Sequence, residues 1–289
     1  MEASLSHSDP PRISIVTANY NGAAHLERAI HSVLSQGYPN LEYIVIDGGS
    51  TDRSRAIIES YADRLAYWES VPDRGFAHAY NKGFGRATGE IQAYLNADDV
   101  YCPWAFDIVS RCFRDVRELE WLTSLFPMIH GVDADFVAAE KVRPFNRELF
   151  HAGRYGADWF WIQQESTFWR RSLWDRAGGF LDESLSLAID AELWARFFDN
   201  SELYAVATPL AGFRKRPDSK TGSGMEGYRR EFERVLRRAR DRGSAETGAR
   251  RRVSDLLRRV GARSYTGKTV HYSHVKRRFV ARTTRIPLR

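Results

Sequence analysis

Apolar and polar positions alternate between two periods along the N-terminal half of the chain. Ile13 to Ala18 is a short β-rich run with apolar residues on both faces, as a strand covered on two sides requires. Asn-Tyr-Asn-Gly then turns the chain. Leu26, Ala29, Ile30, Val33 and Leu34 fall on one helical face, which Gly37 and Pro39 close. Leu41 to Ile46 repeats the strand pattern and runs into Asp47-Gly48-Gly49-Ser50-Thr51-Asp52, where Ser50, Thr51 or Asp52 caps a helix reaching Tyr61. A third strand fits Leu65 to Ser70, followed by a helix through Phe76, Ala79, Tyr80 and Phe84. Glu90 to Asn96 reads as a fourth strand entering Ala97-Asp98-Asp99, and Pro103 opens a helix with Trp104, Ile108 and Cys112 on one face. Repeated strand–helix alternation predicts an α/β fold with a mostly parallel sheet flanked by helices.

The second half is less regular. Residues 121–139 accommodate two strands, 144–170 is aromatic and loop-like, and Ser172 to Ala177 and Ala188 to Asp199 read as helices. Beyond Gly224 the chain reads as Arg-rich helix, with Val235, Leu236, Val253, Leu256, Leu257 and Val260 as apolar points. The expected organisation is a loose N-terminus at 1–11, a catalytic body at 12–222 and a basic, mainly helical extension at 223–289. No internal repeat is visible.

Charge sharpens this division. From Ser223 onward twenty Lys and Arg stand against six Asp and Glu, so an acidic body carries a basic tail although the whole chain is only +6. Such a tail suits an anionic membrane surface or a packing role on the body or in a homodimer. Nucleic acid is not expected, because the tail lacks interleaved aromatics. The start of the chain has no signal-peptide blocks, and no apolar run approaches membrane-spanning length. The expectation is a cytoplasmic protein, soluble or peripheral at the inner face of the cell membrane. Cys102 and Cys112, read in one helical stretch, lack metal-ligand spacing and are expected to be reduced core residues.

In an open parallel sheet, ligands bind beyond the carboxyl ends of the strands. Three such loops carry Thr17 to Asn21, Asp47-Gly48-Gly49 and Asn96 to Asp99. Carboxylates gathered there repel one another unless a cation sits between them and a ligand's phosphates, and oxygen donors of this kind suit Mn²⁺ or Mg²⁺. On its own, Asp98-Asp99 is equally a helix-capping pair.

The blocks ISIVTANYNG, DGGSTD, PDRGFAHAYNKGFGRATGE, LNADD, QQESTFWRRSLWDRAGGF and IDAELWARF, in that order over residues 12–221, resemble the inverting family 2 glycosyltransferases of the GT-A fold. The resemblance implies a nucleotide-diphosphate-sugar donor and a saccharide or lipid-linked acceptor, in surface polysaccharide or glycolipid synthesis. Thr17 and Asn19 would lie at the nucleotide, and Asp47 and Asp73 at base or ribose. Asp99 would ligate the metal with Asp98 nearer the ribose or sugar, and Asp190 would be the general base. Where many members carry a second acidic residue after the strand-two Asp, this chain has Gly48, which leaves the base open among UDP, taken first, GDP and dTDP.

Other residues extend the expected site. Asn81 and Lys82 could reach donor phosphates or form a solvated helix face. Gln164 and Glu165 are candidates for the acceptor side. Trp159, Trp161 and Trp169 are dense enough for a sugar-stacking wall. Arg214 to Lys220 lie in a Gly/Pro/Ser-containing loop that could close over a diphosphate, with Arg214 and Lys220 as its cations. Two rival readings are a nucleotidyltransferase, disfavoured by the absence of a Gly-rich basic loop after the first strand, and a non-catalytic nucleotide-sugar-binding module.

Overall fold

The computed structural model describes residues 9–131, 136–139, 141–153, 155, 162–215, 225–246 and 264–287. Its N-terminal half contains β1 (Ile13–Asn19), α1 (Ala23–Leu34), β2 (Leu41–Asp47), α2 (Ser54–Ser60), β3 (Tyr67–Ser70), α3 (Phe76–Phe84), β4 (Ile91–Tyr94), β5 (Val100–Tyr101) and α4 (Ala105–Asp115). There follow β6 (Trp121–Ser124), β7 (Met128–His130), β8 (Phe136–Ala139), α5 (Arg147–His151), β9 (Phe168–Arg170), α6 (Arg171–Arg176), α7 (Ile189–Asn200), β10 (Tyr204–Val206) and β11 (Ala211–Arg214). The C-terminal elements are α8 (Met225–Glu246), β12 (Ser264–Ser273) and β13 (Arg278–Pro287).

The main sheet has nine strands in the order β13-β12-β10-β6-β9-β4-β1-β2-β3. β1 pairs in parallel with both β2 and β4, and β2 with β3, so the ends of β1, β2 and β4 open on one edge. β9 enters antiparallel between β4 and β6. A smaller sheet, β5-β11-β7-β8, stands beside it.

Each face of the main sheet is covered. On one, Leu26, Ala29, Ile30, Val33 and Leu34 of α1 and Phe106, Val109, Cys112 and Phe113 of α4 pack with Ile13, Ile15 and Val45. This is the apolar stripe that the helical spacing predicts, and each large aliphatic side chain so buried contributes on the order of 1.5–3 kcal/mol. The other face is aromatic, built from Tyr80, Tyr94, Trp121, Trp169, Trp174, Trp194 and Phe197. α3 lies close on this face because Gly83 has no side chain: a Cβ there would sit 2.3 Å from Cγ1 of Val16.

Several expectations change in the folded chain. Asp52, of the three candidate caps, accepts the Ser54 amide at the start of α2. Cys102 precedes α4 rather than lying in it, and burial pushes its thiol up to about 11, as it raises that of Cys112. Residues 121–139 hold three strands, not two. The extension is not mainly helical in its described part: α8 is a helix, but 264–287 forms a β-hairpin whose first strand adds to β10 in parallel. Thr266, Thr269, Val270, Thr283, Thr284 and Ile286 supply the β-branched content that favours this, against a basic composition that reads as helix. Val253, Leu256, Leu257 and Val260 lie outside the described residues.

Candidate active site

The ends of β1, β2 and β3 are tied together by Asp47. Its carboxylate accepts from Nδ2 of Asn19 at 2.6 Å, from the amide and hydroxyl of Ser50 at 2.9 and 2.5 Å, and from the hydroxyl of Ser70 at 2.6 Å. Burial alone would push this carboxyl up, but the bonds from Ser50, Ser70 and Asn19 outweigh it and hold the group below its ordinary range. Asn19 is buried with it, and Thr17 is buried against the Tyr43 hydroxyl, which donates to its Oγ1 at 3.0 Å.

Asp73 lies across from this junction in the turn before α3, and its Oδ1 accepts the Gly75 amide at 2.7 Å. A Cβ on residue 48 would fall 2.7 Å from Oδ2 of Asp73. The glycine that departs from the resembled pattern is therefore the residue that admits the Asp73 carboxylate. Gly49, at φ +78°, makes the adjoining turn.

Asn81 and Lys82 are half-buried at the end of α3. Asn81 clasps the segment after α6, donating to the Leu181 carbonyl at 3.0 Å while its Oδ1 accepts the Leu181 amide at 2.7 Å. Lys82 is ion-paired with Glu69. These bonds hold both polar heads against neighbours, and a phosphate contact by either would have to replace them.

The turn after β4 carries the acidic centre. Asp99 is 1% exposed, and its oxygens accept the Arg214 amide at 2.8 Å and Nδ2 of Asn96 at 2.9 Å. Burial, then the charges of Glu165 and Asp98, push its carboxyl well above the usual range. Asp98 is half-buried beside it. Glu165, 3% exposed, has an Oε1 without a hydrogen-bond partner, and burial together with Asp190 and Asp98 pushes it up to about 8. Asp190, second residue of α7, accepts the Ala191 amide at 2.8 Å and is pushed up by burial to about 6. It lines a small cavity with Phe150, Tyr155, Ile162, Trp194, Tyr228 and Phe232.

Three expectations about the acceptor side and lid are corrected. Gln164 is a strut, donating to the Tyr94 carbonyl at 2.5 Å and accepting from Asn96 at 3.1 Å. Trp169 is fully buried among Phe84, Trp174 and Trp194, so it forms core rather than a sugar-stacking wall. Arg214 belongs to β11 and is 2% exposed; its guanidinium donates to the carbonyls of Asp98 and Gly131 at 2.8 and 3.0 Å, which fixes the acidic turn and leaves no mobile lid cation there. Trp159, Trp161 and Lys220 lie outside the described residues. Tyr228 and Glu231 at this site escaped the sequence reading, because nothing local marks either in an Arg-rich stretch.

Among the described residues, no three His, Cys, Asp or Glu side chains come together closely enough to hold a metal by themselves. The donor chemistry nonetheless fits a hard divalent cation. Asp98 and Asp99 carry carboxylate oxygens of the kind such a cation takes, and the buried Oε1 of Glu165 has no hydrogen-bond partner. No described helix is long and apolar enough to cross a membrane.

Residues 14–110 match glycosyl transferase family 2. An uncharacterized glycosyltransferase of Mycobacterium tuberculosis is 28% identical over 280 residues, covering 95% of this chain and 94% of its own. Among solved structures, Staphylococcus aureus TarS 1-349 in complex with UDP-GlcNAc superposes with a TM-score of 0.61 at 17% identity, over 79% of this chain and 66% of TarS 1-349. The mannosyltransferase PcManGT from Pyrobaculum calidifontis, in complex with GDP-Man and Mn²⁺, gives a TM-score of 0.51 at 18% identity, over 88% and 80%. The structural likenesses establish the fold, which is that of GT-A enzymes, and the sequence relatives support a glycosyltransferase.

Proposed function

We propose that this glycosyltransferase moves a sugar from a nucleotide-diphosphate sugar to an acceptor hydroxyl with inversion, using Asp190 as general base. One observation supports the reading: the charges of Asp190 and Asp98 both act on the buried Glu165 carboxyl, and those of Glu165 and Asp98 on Asp99, so acidic residues far apart in sequence share one electrostatic environment. A carboxyl held near 6 is ionised at neutral pH and still basic enough to take a proton as the acceptor oxygen attacks.

The acceptor O–H proton passes to Asp190, the acceptor oxygen bonds to the anomeric carbon, and the bond from that carbon to the diphosphate breaks. The nucleoside diphosphate leaves with the electron pair. Asp99, with Asp98, would hold Mn²⁺ or Mg²⁺, and such an ion neutralises charge on the diphosphate. Asp98 would also stand nearer the donor ribose or sugar. Asp73, with an oxygen against Gly48, is the carboxylate left to meet base or ribose, since the oxygens of Asp47 are taken up by Asn19, Ser50 and Ser70. The donor nucleotide is UDP, GDP or dTDP, with UDP first; TarS binds UDP-GlcNAc and PcManGT binds GDP-Man.

The acceptor is a saccharide or a lipid-linked one, in surface polysaccharide or glycolipid synthesis, and the hairpin β12–β13 bears on where the enzyme works. Residues 264–287 hold six Lys and Arg and no Asp or Glu, and Val275 at the turn is 96% exposed. Cations around an exposed apolar tip suit an anionic membrane surface. Flotation with vesicles containing phosphatidylglycerol, against neutral vesicles, tests this; Val275→Asp should abolish any binding, and equal recovery on both lipids would exclude it.

The donor is tested by thermal shift with UDP-, GDP-, dTDP- and CMP-sugars, each with Mn²⁺, Mg²⁺ or EDTA. A ligand that binds only the folded state raises its stability with concentration over Kd. One nucleotide shifting the protein only with metal is the expected result. Equal shifts with EDTA would remove the metal from the reading.

A further inference from the structure

The segment leading into α7 has no cap of its own. Ala188 precedes the helix without a side-chain hydrogen bond to it. Instead, three successive amides turn toward one carboxylate from a distant part of the chain. Glu231 of α8 accepts the Leu187 amide at 2.8 Å and the Ala188 amide at 3.0 Å on Oε2, and the Ser186 amide at 3.2 Å. Burial pushes the Glu231 carboxyl up, but the bonds from Ala188, Leu187 and Ser186 outweigh it and hold the group low. A charged acceptor of three amides is among the stronger arrangements available to a carboxylate.

α8 is built to reach this segment. Tyr228, Phe232, Val235, Leu236 and Ala239 are buried on one face, at helical spacing. Gly227 brings the backbone close: a Cβ there would fall 2.9 Å from Cδ1 of Leu187. Arg238, two turns beyond Glu231, pairs with Asp182 at 3.1 Å and so grips the same segment at its other end. Tyr228 and Phe232 then wall the cavity that Asp190 lines. The helix at the head of the basic extension is thus a wall of the site.

From this geometry we infer that Glu231 is the positioning residue of the reaction, setting the start of α7 and with it the direction of the Asp190 carboxylate. Asp190 stands two residues past the last amide that Glu231 holds. When that carboxylate is removed, three amides lose their acceptor and the first turn of α7 is free to shift. A displacement of about 1 Å in a reacting group can cost on the order of a hundredfold in rate. The Glu231 carboxylate is taken up by these three amides, so the loss is expected on turnover and not on donor affinity.

The inference rests on Asp190 being the base, and the experiment separates the two. Glu231→Ala, Glu231→Gln and Asp190→Asn are compared in the full-length protein, using the nucleotide sugar and metal that stabilise it most in the thermal-shift screen and following release of nucleoside diphosphate. Amide hydrogen exchange at 186–188 is measured in parallel and needs no substrate. Expected are faster exchange at those amides in Glu231→Ala, a fall in kcat of roughly tenfold to a hundredfold with donor KM within twofold, and partial recovery of both in Glu231→Gln, whose side-chain oxygen still accepts. If Asp190→Asn is inactive while Glu231→Ala keeps wild-type kcat, the positioning role is wrong and the base stands. Unchanged exchange at 186–188 in Glu231→Ala overturns the inference whatever the rates. Turnover retained in Asp190→Asn removes the base, and the inference with it.

Discussion

The amide of Arg214 donates to Oδ1 of Asp99 at 2.8 Å across 115 residues of sequence, while the side chain of the same arginine donates to the carbonyl of Asp98. One residue of β11 thus holds both members of the acidic pair, one through its main chain and the other through its guanidinium. In Arg214→Ala the main-chain bond survives, but the carbonyls of Asp98 and Gly131 lose their buried donor. Leaving such groups unsatisfied costs about 1–3 kcal/mol, and metal-dependent donor binding should weaken as the turn loosens. Urea unfolding and donor titration with and without Mn²⁺ measure the two effects. Wild-type values in both would mean the guanidinium has no part in holding the turn.

Asp190→Asn keeps the size and the hydrogen bond from Ala191 but cannot take a proton. Turnover should drop by roughly a hundredfold to ten-thousandfold, with donor Kd nearly unchanged. Single-turnover kinetics and calorimetric donor titration check this, and a base located elsewhere would leave the rate intact.

The same residue sets a pH limb. Its carboxyl is pushed up to about 6, and the ionised form is the one that acts. The groups facing it are Glu165, Tyr94 of β4 and Tyr228 of α8. All three are neutral near pH 6, because Glu165 is pushed up to about 8 and both tyrosines well above their ordinary range. kcat/KM should therefore fall as pH drops through about 6, and a flat profile from pH 5 to 7, within about twofold, would separate the titration from catalysis.

Glu42 predicts a stability change of known sign. Its buried carboxylate accepts from the Ser14 hydroxyl at 2.5 Å and from the amide and hydroxyl of Thr88 at 2.6 and 2.8 Å, with Arg12 at 3.1 Å. Burial pushes the group up, but the bonds from Ser14 and Thr88 prevail, so its folded pKa lies below the unfolded one. The stabilisation is present above the unfolded value and is lost as pH falls through the folded one. Glu42→Gln should cost about 1–3 kcal/mol at pH 7, and the gap to wild type should narrow below about pH 4. Denaturation at the two pH values measures it.

Gly48→Asp, which restores the acidic residue of the resembled family, should weaken donor binding in this chain, because its Cβ meets Asp73 at 2.7 Å. Combining it with Asp73→Ala should recover binding. If the single variant binds as tightly as wild type, Asp73 does not occupy that space during binding.

Much of the architecture was legible before folding. The periods of apolar residues place β1 to β4 and the helices between them within a residue or two, because each of those elements buries a continuous stripe that local sequence must supply. The strand-end loops and the acidic pairs were legible for the same reason, as strand ends follow once strands are placed. The β-hairpin was not, because its first strand is held in the sheet by pairing to β10, sixty-odd residues earlier, and edge pairing leaves only a weak local period.

By itself, then, the sequence determined which residues could form strands, helices and a charged crevice, since periodicity and turn chemistry act over a few residues. Only the tertiary structure decided which polar groups remain available. Asn81, Lys82, Gln164, Arg214 and Asp47 look like ligand contacts as residue types, yet each is engaged by a partner whose position depends on the whole fold. Glu231 is the converse: unremarkable in an Arg-rich stretch, it faces the start of α7 because packing places it there. Burial and hydrogen bonding are properties of what surrounds a side chain, and those surroundings come from residues up to 164 positions away.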